Sequence, residues 1–287
     1  MTEPLRVVLA SSRADGLLVL LEACQRSGNH PAACVVPRFA ADDSRIVRSI
    51  PTGLDSVFPA GNDELAEALS GFAADIMICH GFPWRLSEEV LRTVRLGVLN
   101  VHTSLLPRHR GPMPVHWALL RGDTETGVTI HRMDSRFDSG PIVAQRGGIP
   151  LPDEIDDDAA DGLIRDFDDV ARELVAVALA RVAEGFAGTP QNEQDATYES
   201  AIGDELASVD RSKTAREIHN QVRARRFGIY DPPGPIAELD GRRISLLRTS
   251  LRPADGMEIR CADGSLWITE FLELDPVDRR RQALIAR

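Results

Sequence analysis

The chain has 287 residues and a mass of 31.4 kDa, more than one average domain and fewer than three. Its composition, 43% hydrophobic and 27% charged residues, is typical of a globular protein. We expect a cytoplasmic protein without a membrane partner, because no 18-residue apolar run and no secretory leader pattern is present. The four cysteines form no CxxC pair, which predicts neither a metal site nor disulfides.

The formal net charge of −11 disfavours a nucleic-acid partner, because such binding depends on Lys and Arg that neutralise phosphates. The negative charge is concentrated in residues 151–210, which carry a net charge of −14. Residues 1–99 carry −3 and residues 211–287 carry +4. The acidic segment at 151–210 is therefore the main source of the negative net charge of the chain.

Strands and helices alternate along the first hundred residues. Apolar, β-branched runs predict strands at 6–10, 32–36, 75–79 and 97–102. Helical spacing of apolar residues predicts helices at 15–28, 62–71 and 87–94, the last with Ser87 as its N-cap. Alternation of this kind predicts a parallel sheet covered on both faces.

The pattern changes after residue 125. Two strand-like runs, 127–133 and 141–145, are separated by a gap too short for a helical crossover, so we expect antiparallel neighbours. A long helix is predicted at 160–184.

A second unit is expected after a small, polar stretch at 185–200 that is typical of a linker. A helix is predicted at 212–226, followed by four strand-like runs with Asp-Gly turns between them. These elements predict a small β-barrel. Because the linker precedes them, we expect one domain at 1–200 and a second at 201–287.

Three polar residues are placed to meet in one crevice. Asn100 and His102 lie two apart at the end of a predicted strand and therefore share a face, at the edge where parallel sheets bind ligands. Asp138 follows in the turn FDSG. Such a trio suits acyl transfer to an amine, with His handling a proton, Asn donating to an oxyanion and Asp orienting the His. A structural histidine and a turn-forming aspartate remain the alternatives at this point.

The longest motif resembles a known family. NVHTSLLPRHRG, followed by GDTETGVTIHRMDSRFDSGPIVAQ, resembles the formyltransferases that use 10-formyltetrahydrofolate, in a layout nearest to methionyl-tRNA formyltransferases and their small-molecule counterparts. ATYESAI and TAREIHNQVRA are similar to the start of the family's C-terminal domain. The resemblance implies an α/β fold, with a Rossmann-like parallel-sheet formyltransferase domain followed by a small OB-like β-barrel domain.

The resemblance also implies roles for individual residues. Asn100, His102 and Asp138 match the catalytic trio of the family, and no metal is implied. The implied contacts to the co-substrate 10-formyltetrahydrofolate are Gly81, Phe82, Ser104, Leu105, Leu106, Pro107 and Asp134.

Two loops depart from the tRNA-directed members of the family. Residues 10–16 read ASSRADG instead of a Gly-Thr-Pro type loop, and residues 37–49 contain Asp42 and Asp43 but no lysine. With the acidic net charge, these loops favour a small amine acceptor, such as an amino sugar nucleotide, an N-hydroxylated amino acid or another specialised metabolite. No nucleic-acid partner is expected, and a homodimer is left open.

Other functions stay in view. Methionyl-tRNA formyltransferase is the first alternative, and a formyltetrahydrofolate hydrolase that uses water as acceptor is the second. A non-catalytic folate-binding protein is disfavoured because the whole trio is present. A nicotinamide dehydrogenase is disfavoured because no GxGxxG follows the first strand.

Overall fold

The computed structural model describes residues 3–203 and 206–274. The chain divides into two compact units. The first comprises Met1–Pro114, Glu125–Pro150 and Leu163–Ser200, and the second comprises Val115–Thr124, Leu151–Gly162 and Ala201–Arg287.

Five of the seven α-helices in the described residues were predicted, and two short ones, the second and the fifth along the chain, were not. Their bounds are α1 Ala14–Arg26, α2 Ser44–Ser49, α3 Asn62–Gly71, α4 Glu88–Thr93, α5 Pro114–Arg121, α6 Asp157–Ala183 and α7 Ala215–Phe227. The predicted N-cap Ser87 is confirmed, since its side chain accepts a hydrogen bond from the backbone of Val90. Within the two described stretches, no helix is long and apolar enough to cross a membrane.

A seven-stranded sheet forms the first unit. Its strands are β1 Arg6–Ala10, β2 His30–Val35, β3 Ser56–Val57, β4 Ile76–His80, β5 Val98–His102, β6 Glu125–Arg132 and β7 Ile142–Pro150. They lie in the order β3-β2-β1-β4-β5-β6-β7. Strands β1 to β5 are parallel to one another, and β6 is antiparallel to both of its neighbours, β5 and β7. The predicted parallel sheet and the antiparallel pair after residue 125 are therefore confirmed.

The core explains why the central strands read as continuous apolar runs. Val8 and Ala10 of β1 belong to a cluster that includes residues of α3 and α4. Val7 and Leu9 point to the opposite face and are fully buried as well. A strand buried on both faces has no polar side to alternate with.

Residues 185–200 are not a free linker, in contrast to the expectation from composition. Thr189 pairs with Ile142, and Tyr198 forms a parallel bridge with Arg110. Polar composition here provides side-chain hydrogen bonds to the first unit rather than chain flexibility.

The second unit contains an antiparallel sheet of four strands, β8 Ile236–Leu239, β9 Arg242–Ser250, β10 Met257–Arg260 and β11 Ser265–Glu273. Helix α7 begins with a capping box, in which Thr214 and Glu217 satisfy each other's backbone N–H groups. The strand order β10-β11-β9-β8 leaves β10 and β8 at the two edges of the sheet. The four predicted strands are thus confirmed, while the OB-like barrel stays a prediction.

Candidate active site

A cavity of about 450 Å³ lies in the first unit, where β4 and β5 end. This volume is within the range of about 300–1,000 Å³ that small-molecule sites occupy. Its lining consists of Arg13, residues 80–84, 100–103 and 111–114, Met133, Phe137 and Asp138. Of the predicted site residues, the structure brings Asn100, His102, Asp138, Gly81 and Phe82 to this cavity.

Asp138 places a buried carboxylate at one end of the cavity. Its Oδ2 accepts a hydrogen bond of 2.8 Å from the backbone N–H of Gly111, and its Oδ1 lies 3.3 Å from Nε2 of His131. Its side chain is only 12% exposed. Burial acts to raise the pKa of Asp138, but His102, His131 and the backbone N–H of Gly111 favour the carboxylate, outweigh burial and lower the pKa to about 2. The carboxylate is therefore ionised at neutral pH.

His102 is held beside this carboxylate with its tautomer set by the chain. Its Nε2 lies 2.8 Å from the carbonyl oxygen of His109, and because a carbonyl only accepts, Nε2 carries the proton. Nδ1 lies 3.7 Å from Oδ2 of Asp138, too far for a hydrogen bond in the neutral ring. Burial lowers the pKa of His102, against the opposing effect of Asp138. A neutral ring with its lone pair at Nδ1 is a proton acceptor, and the neighbouring carboxylate stabilises the cation it forms.

Sequence reasoning missed His131 as a member of this cluster. It is paired with Asn100 across β5 and β6, and its Nε2 lies 3.2 Å from Nδ2 of Asn100. Its Nδ1 lies 2.9 Å from the carbonyl oxygen of Arg132 and carries the proton of the neutral ring, so Nε2 accepts from the amide of Asn100. The same Nε2 lies 3.3 Å from Oδ1 of Asp138, which places His131 between the amide and the carboxylate. An amide nitrogen carries two N–H groups, so Asn100 keeps a donor beyond the one directed at His131. Only the register of β5 against β6 reveals this residue.

Two further cavity residues, Arg13 and His80, were also missed. Arg13 follows β1 and is paired with Asp15. His80 ends β4, and burial lowers its pKa to about 4, which leaves the ring neutral at physiological pH.

Residues 104–107, predicted to contact folate, are not among the residues that line this cavity, and that contact stays a prediction. Ser104 donates to the carbonyl of Arg108, and the backbone of Leu106 bonds to Thr129 and Gln145. Leu105 occupies the space above Gly127 and Gly147. The carbonyl of Pro107 accepts from the backbone of Thr197. These four residues therefore shape the loop that follows β5.

Asp134 also lies outside the cavity lining. Its carboxylate accepts hydrogen bonds from the hydroxyl of Ser139 and the backbone N–H of Arg136. It closes the turn that carries Asp138, whose φ of +52° is in the left-handed region. Its predicted contact with folate stays a prediction.

The sequence profile of the family described as Formyl transferase matches residues 7–162 of the chain. The chain belongs to this formyl transferase family. The matched residues include the whole cluster of Asn100, His102, His131 and Asp138. The resemblance to formyltransferases that use 10-formyltetrahydrofolate is therefore confirmed, and so is its implication of a folate-dependent N-formyltransferase.

Similar proteins include two methionyl-tRNA formyltransferases. That of Burkholderia vietnamiensis (strain G4 / LMG 22486) is 33% identical over 257 residues, which cover 83% of this chain and 76% of that protein. That of Herminiimonas arsenicoxydans is 31% identical over 291 residues, which cover 92% of this chain and 88% of that protein.

Solved structures of formyltransferases and HypX share the fold. HypX from Aquifex aeolicus, in complex with tetrahydrofolic acid, aligns with a TM-score of 0.64 at 20% identity, covering 94% of this chain and 44% of that one. An N-formyltransferase from Helicobacter canadensis, in complex with folinic acid and dTDP-3-aminofucose, aligns with a TM-score of 0.65 at 18% identity, covering 94% of this chain and 100% of that one. At these identities the alignments establish the fold.

The ring of His102 should titrate below its ordinary pKa of 6.5, because burial disfavours the cation. In Asp138→Asn the opposing carboxylate charge is lost, so the pKa of His102 should fall further. Histidine-selective NMR titration of the free protein measures both values, with exposed Asp42→Asn as the matched control. A midpoint that is unchanged or higher in Asp138→Asn would contradict the geometry.

Proposed function

We propose that the chain transfers the formyl group of 10-formyltetrahydrofolate to the amine of a small-molecule acceptor. The observation that carries this proposal is the meeting of a neutral imidazole, an ionised carboxylate and an amide at one end of the cavity, at His102, Asp138 and Asn100. An acid–base pair beside a hydrogen-bond donor is what acyl transfer to an amine requires.

The cavity walls suit a folate. Gly81 and Phe82 follow β4 and line the cavity, and the ring of Phe82 meets Trp84 edge to face with centroids 5.2 Å apart. Met133 and Phe137 add apolar surface to the lining. A flat pterin ring binds well between aromatic and thioether side chains, with its polar edge on the backbone.

Each residue of the trio has one step in the proposed mechanism. The amine attacks the formyl carbon, and the amide of Asn100 donates a hydrogen bond to the oxygen that becomes negative. Nδ1 of His102 takes the proton released by the amine, and Asp138 stabilises the imidazolium. The proton is then returned to the nitrogen of the departing tetrahydrofolate, which leaves the formylated amine and restores the neutral ring.

Three arginines on the segments that follow β1 and β2 are paired with acids of the chain itself, which favours a small acceptor. Arg13, on the loop after β1, is paired with Asp15. On the loop after β2, Arg38 lies 2.6 Å from Glu64, and the neighbouring Arg45 is paired with its N-cap Asp43. A tRNA acceptor instead needs uncompensated Lys and Arg at its phosphates.

Methionyl-tRNA formyltransferase is the second candidate, and the names of the curated relatives favour it. Identity of 33% over 257 residues supports a common chemistry, because the trio lies inside the aligned family region. The acceptor is the point of difference between the two candidates.

The domain division at 200 and the OB-like form of the second unit are proposals common to both.

Alanine substitution of His102 or Asp138 should reduce the rate of formyl transfer by about 100-fold or more, the range for general acid–base groups. Turnover is followed as the loss of 10-formyltetrahydrofolate with an amine from a panel of small acceptors. His30→Ala, which removes an exposed histidine outside the cavity, should behave as wild type. Wild-type turnover in either site variant would show that the residue has no part in the chemistry.

Methionyl-tRNA should be formylated poorly, and added tRNA should not inhibit transfer to the small amine. The reason is electrostatic, since the chain carries a net charge of −11 and both Arg13 and Arg38 are already paired with carboxylates. A competition assay at low and high salt, with a methionyl-tRNA formyltransferase as positive control, measures both effects. Efficient, salt-sensitive formylation of methionyl-tRNA would establish the second candidate, whereas equal formate release without any amine would indicate a hydrolase.

A further inference from the structure

Residues 189–199, which we call the strap, cross the loop that follows β5. The strap begins where Thr189 pairs with Ile142 and ends beside Arg110, whose backbone exchanges hydrogen bonds with Thr197 and Glu199. Gly111 lies so close to the strap that a Cβ there would come within 2.2 Å of the carbonyl oxygen of Glu199. The strap and the loop are thus in backbone contact.

Arg110 is a fully buried cation whose donors are all used by the strap. Its Nε and Nη2 donate to Oε1 of Gln191 at 3.0 and 2.9 Å, and its two Nη atoms donate to the carboxylate of Glu193 at 3.1 and 3.0 Å. The fifth N–H goes to the hydroxyl of Tyr198. A buried guanidinium satisfied in this way fixes the loop, because freeing any acceptor leaves a buried charge short of a partner.

Gln191 bonds on both sides of its amide. Oε1 accepts from Arg110, and Nε2 donates to the carbonyls of Asp138 at 2.8 Å and Gly140 at 2.7 Å. The orientation of the amide is fixed by chemistry, since guanidinium N–H groups only donate and carbonyls only accept. One side chain therefore connects the loop after β5 to the turn after β6.

Each connected segment orients one member of the proposed catalytic pair. The carbonyl of His109, next to Arg110, accepts from Nε2 of His102. The turn held by Gln191 carries Asp138 itself. The distance between His102 and Asp138 therefore depends on how the two segments are joined.

We propose that Gln191 is a positioning residue that sets the separation of His102 and Asp138. The proposal rests on the proposed formyl transfer for its kinetic consequence, and on the hydrogen bonds of one side chain for its geometry. Gln191 itself is not among the residues that line the cavity.

Two variants test this role. Gln191→Ala removes both sets of bonds. Gln191→Glu keeps acceptors for Arg110 but presents no donor to the carbonyls of Asp138 and Gly140, so it loosens the turn selectively. The matched control is Gln194→Ala, which removes an exposed glutamine of the same strap.

We expect both variants to lower kcat by about 10- to 100-fold, as misplacement of about 1 Å does. The rate is divided by the concentration of sites that bind 5-formyltetrahydrofolate, so unfolded protein does not lower the value of kcat. The affinity for that folate should stay within about twofold of wild type, since its proposed contacts are elsewhere. Gln194→Ala should match wild type throughout.

The pH profile separates positioning from a merely structural role. The groups that face His102 are Asp138, His131 and His109, and Asp138 is the one whose charge raises the pKa of His102. A displaced Asp138 should therefore move the acid limb of kcat/KM to lower pH than in wild type, with the same acceptor in both profiles.

The positioning role would be overturned if the Gln191 variants had the same rate per folate-binding site as Gln194→Ala. It would also be overturned if the acid limb of their kcat/KM profiles stayed at the wild-type pH. Failure of the proposed function looks different, because wild-type protein would then transfer formyl to no small-molecule amine. In that case the pKa of His102 in Gln191→Glu, measured by NMR titration, still tests the positioning role. A pKa equal to that of wild type would overturn the role without reference to turnover.

Discussion

The buried charge of Asp138 is the constraint on which the rest of the site depends. A carboxylate in this position is costly unless its oxygens are met by donors or cations. The groups around it come from different parts of the first unit: the backbone N–H of Gly111 after β5 donates to Oδ2, and the ring of His131 on β6 lies 3.3 Å from Oδ1. The loop, the strand and the turn must therefore converge on one point, which explains why the turn accepts a left-handed aspartate.

This convergence gives the two titratable groups opposite states near neutral pH. Burial lowers the pKa of His102 and keeps its ring neutral, while Asp138, whose pKa is lowered to about 2, stays ionised. A neutral base beside a fixed negative charge is prepared to accept one proton and to hold it. The arrangement is formed by the protein alone, so the site needs little rearrangement at the moment of proton transfer.

The sequence predicted the regular elements well, because their signals are local. Continuous apolar runs marked β1 and β4, and a Ser followed by acidic residues marked the start of α4. The meeting of Asn100, His102 and Asp138 was also predictable, since two lie on one strand face and the third in a nearby turn. The small strand β3 was missed because two residues carry no periodic pattern.

Features that depend on register or on long-range hydrogen bonds could not be predicted. His131 joins the cluster only because β6 lies beside β5, which apolar patterning does not specify. Residues 185–200 have the composition of a linker, yet Gln191 and its neighbours use that polarity to hold the loop after β5. The loop residues Ser104 and Leu106 match a family motif, and the hydrogen bonds by which they hold the loop could not be predicted from it.

The most direct test of this account is the ionisation of Asp138 in the free protein. Carboxyl-carbon NMR of aspartate-labelled protein, assigned with Asp138→Asn, follows that group as the pH is lowered from neutrality to 3.8, the ordinary pKa of an aspartate. The account predicts that Asp138 remains almost fully ionised at pH 3.8, because its pKa is lowered to about 2. A carboxyl that is half protonated at or above pH 3.8 would contradict it.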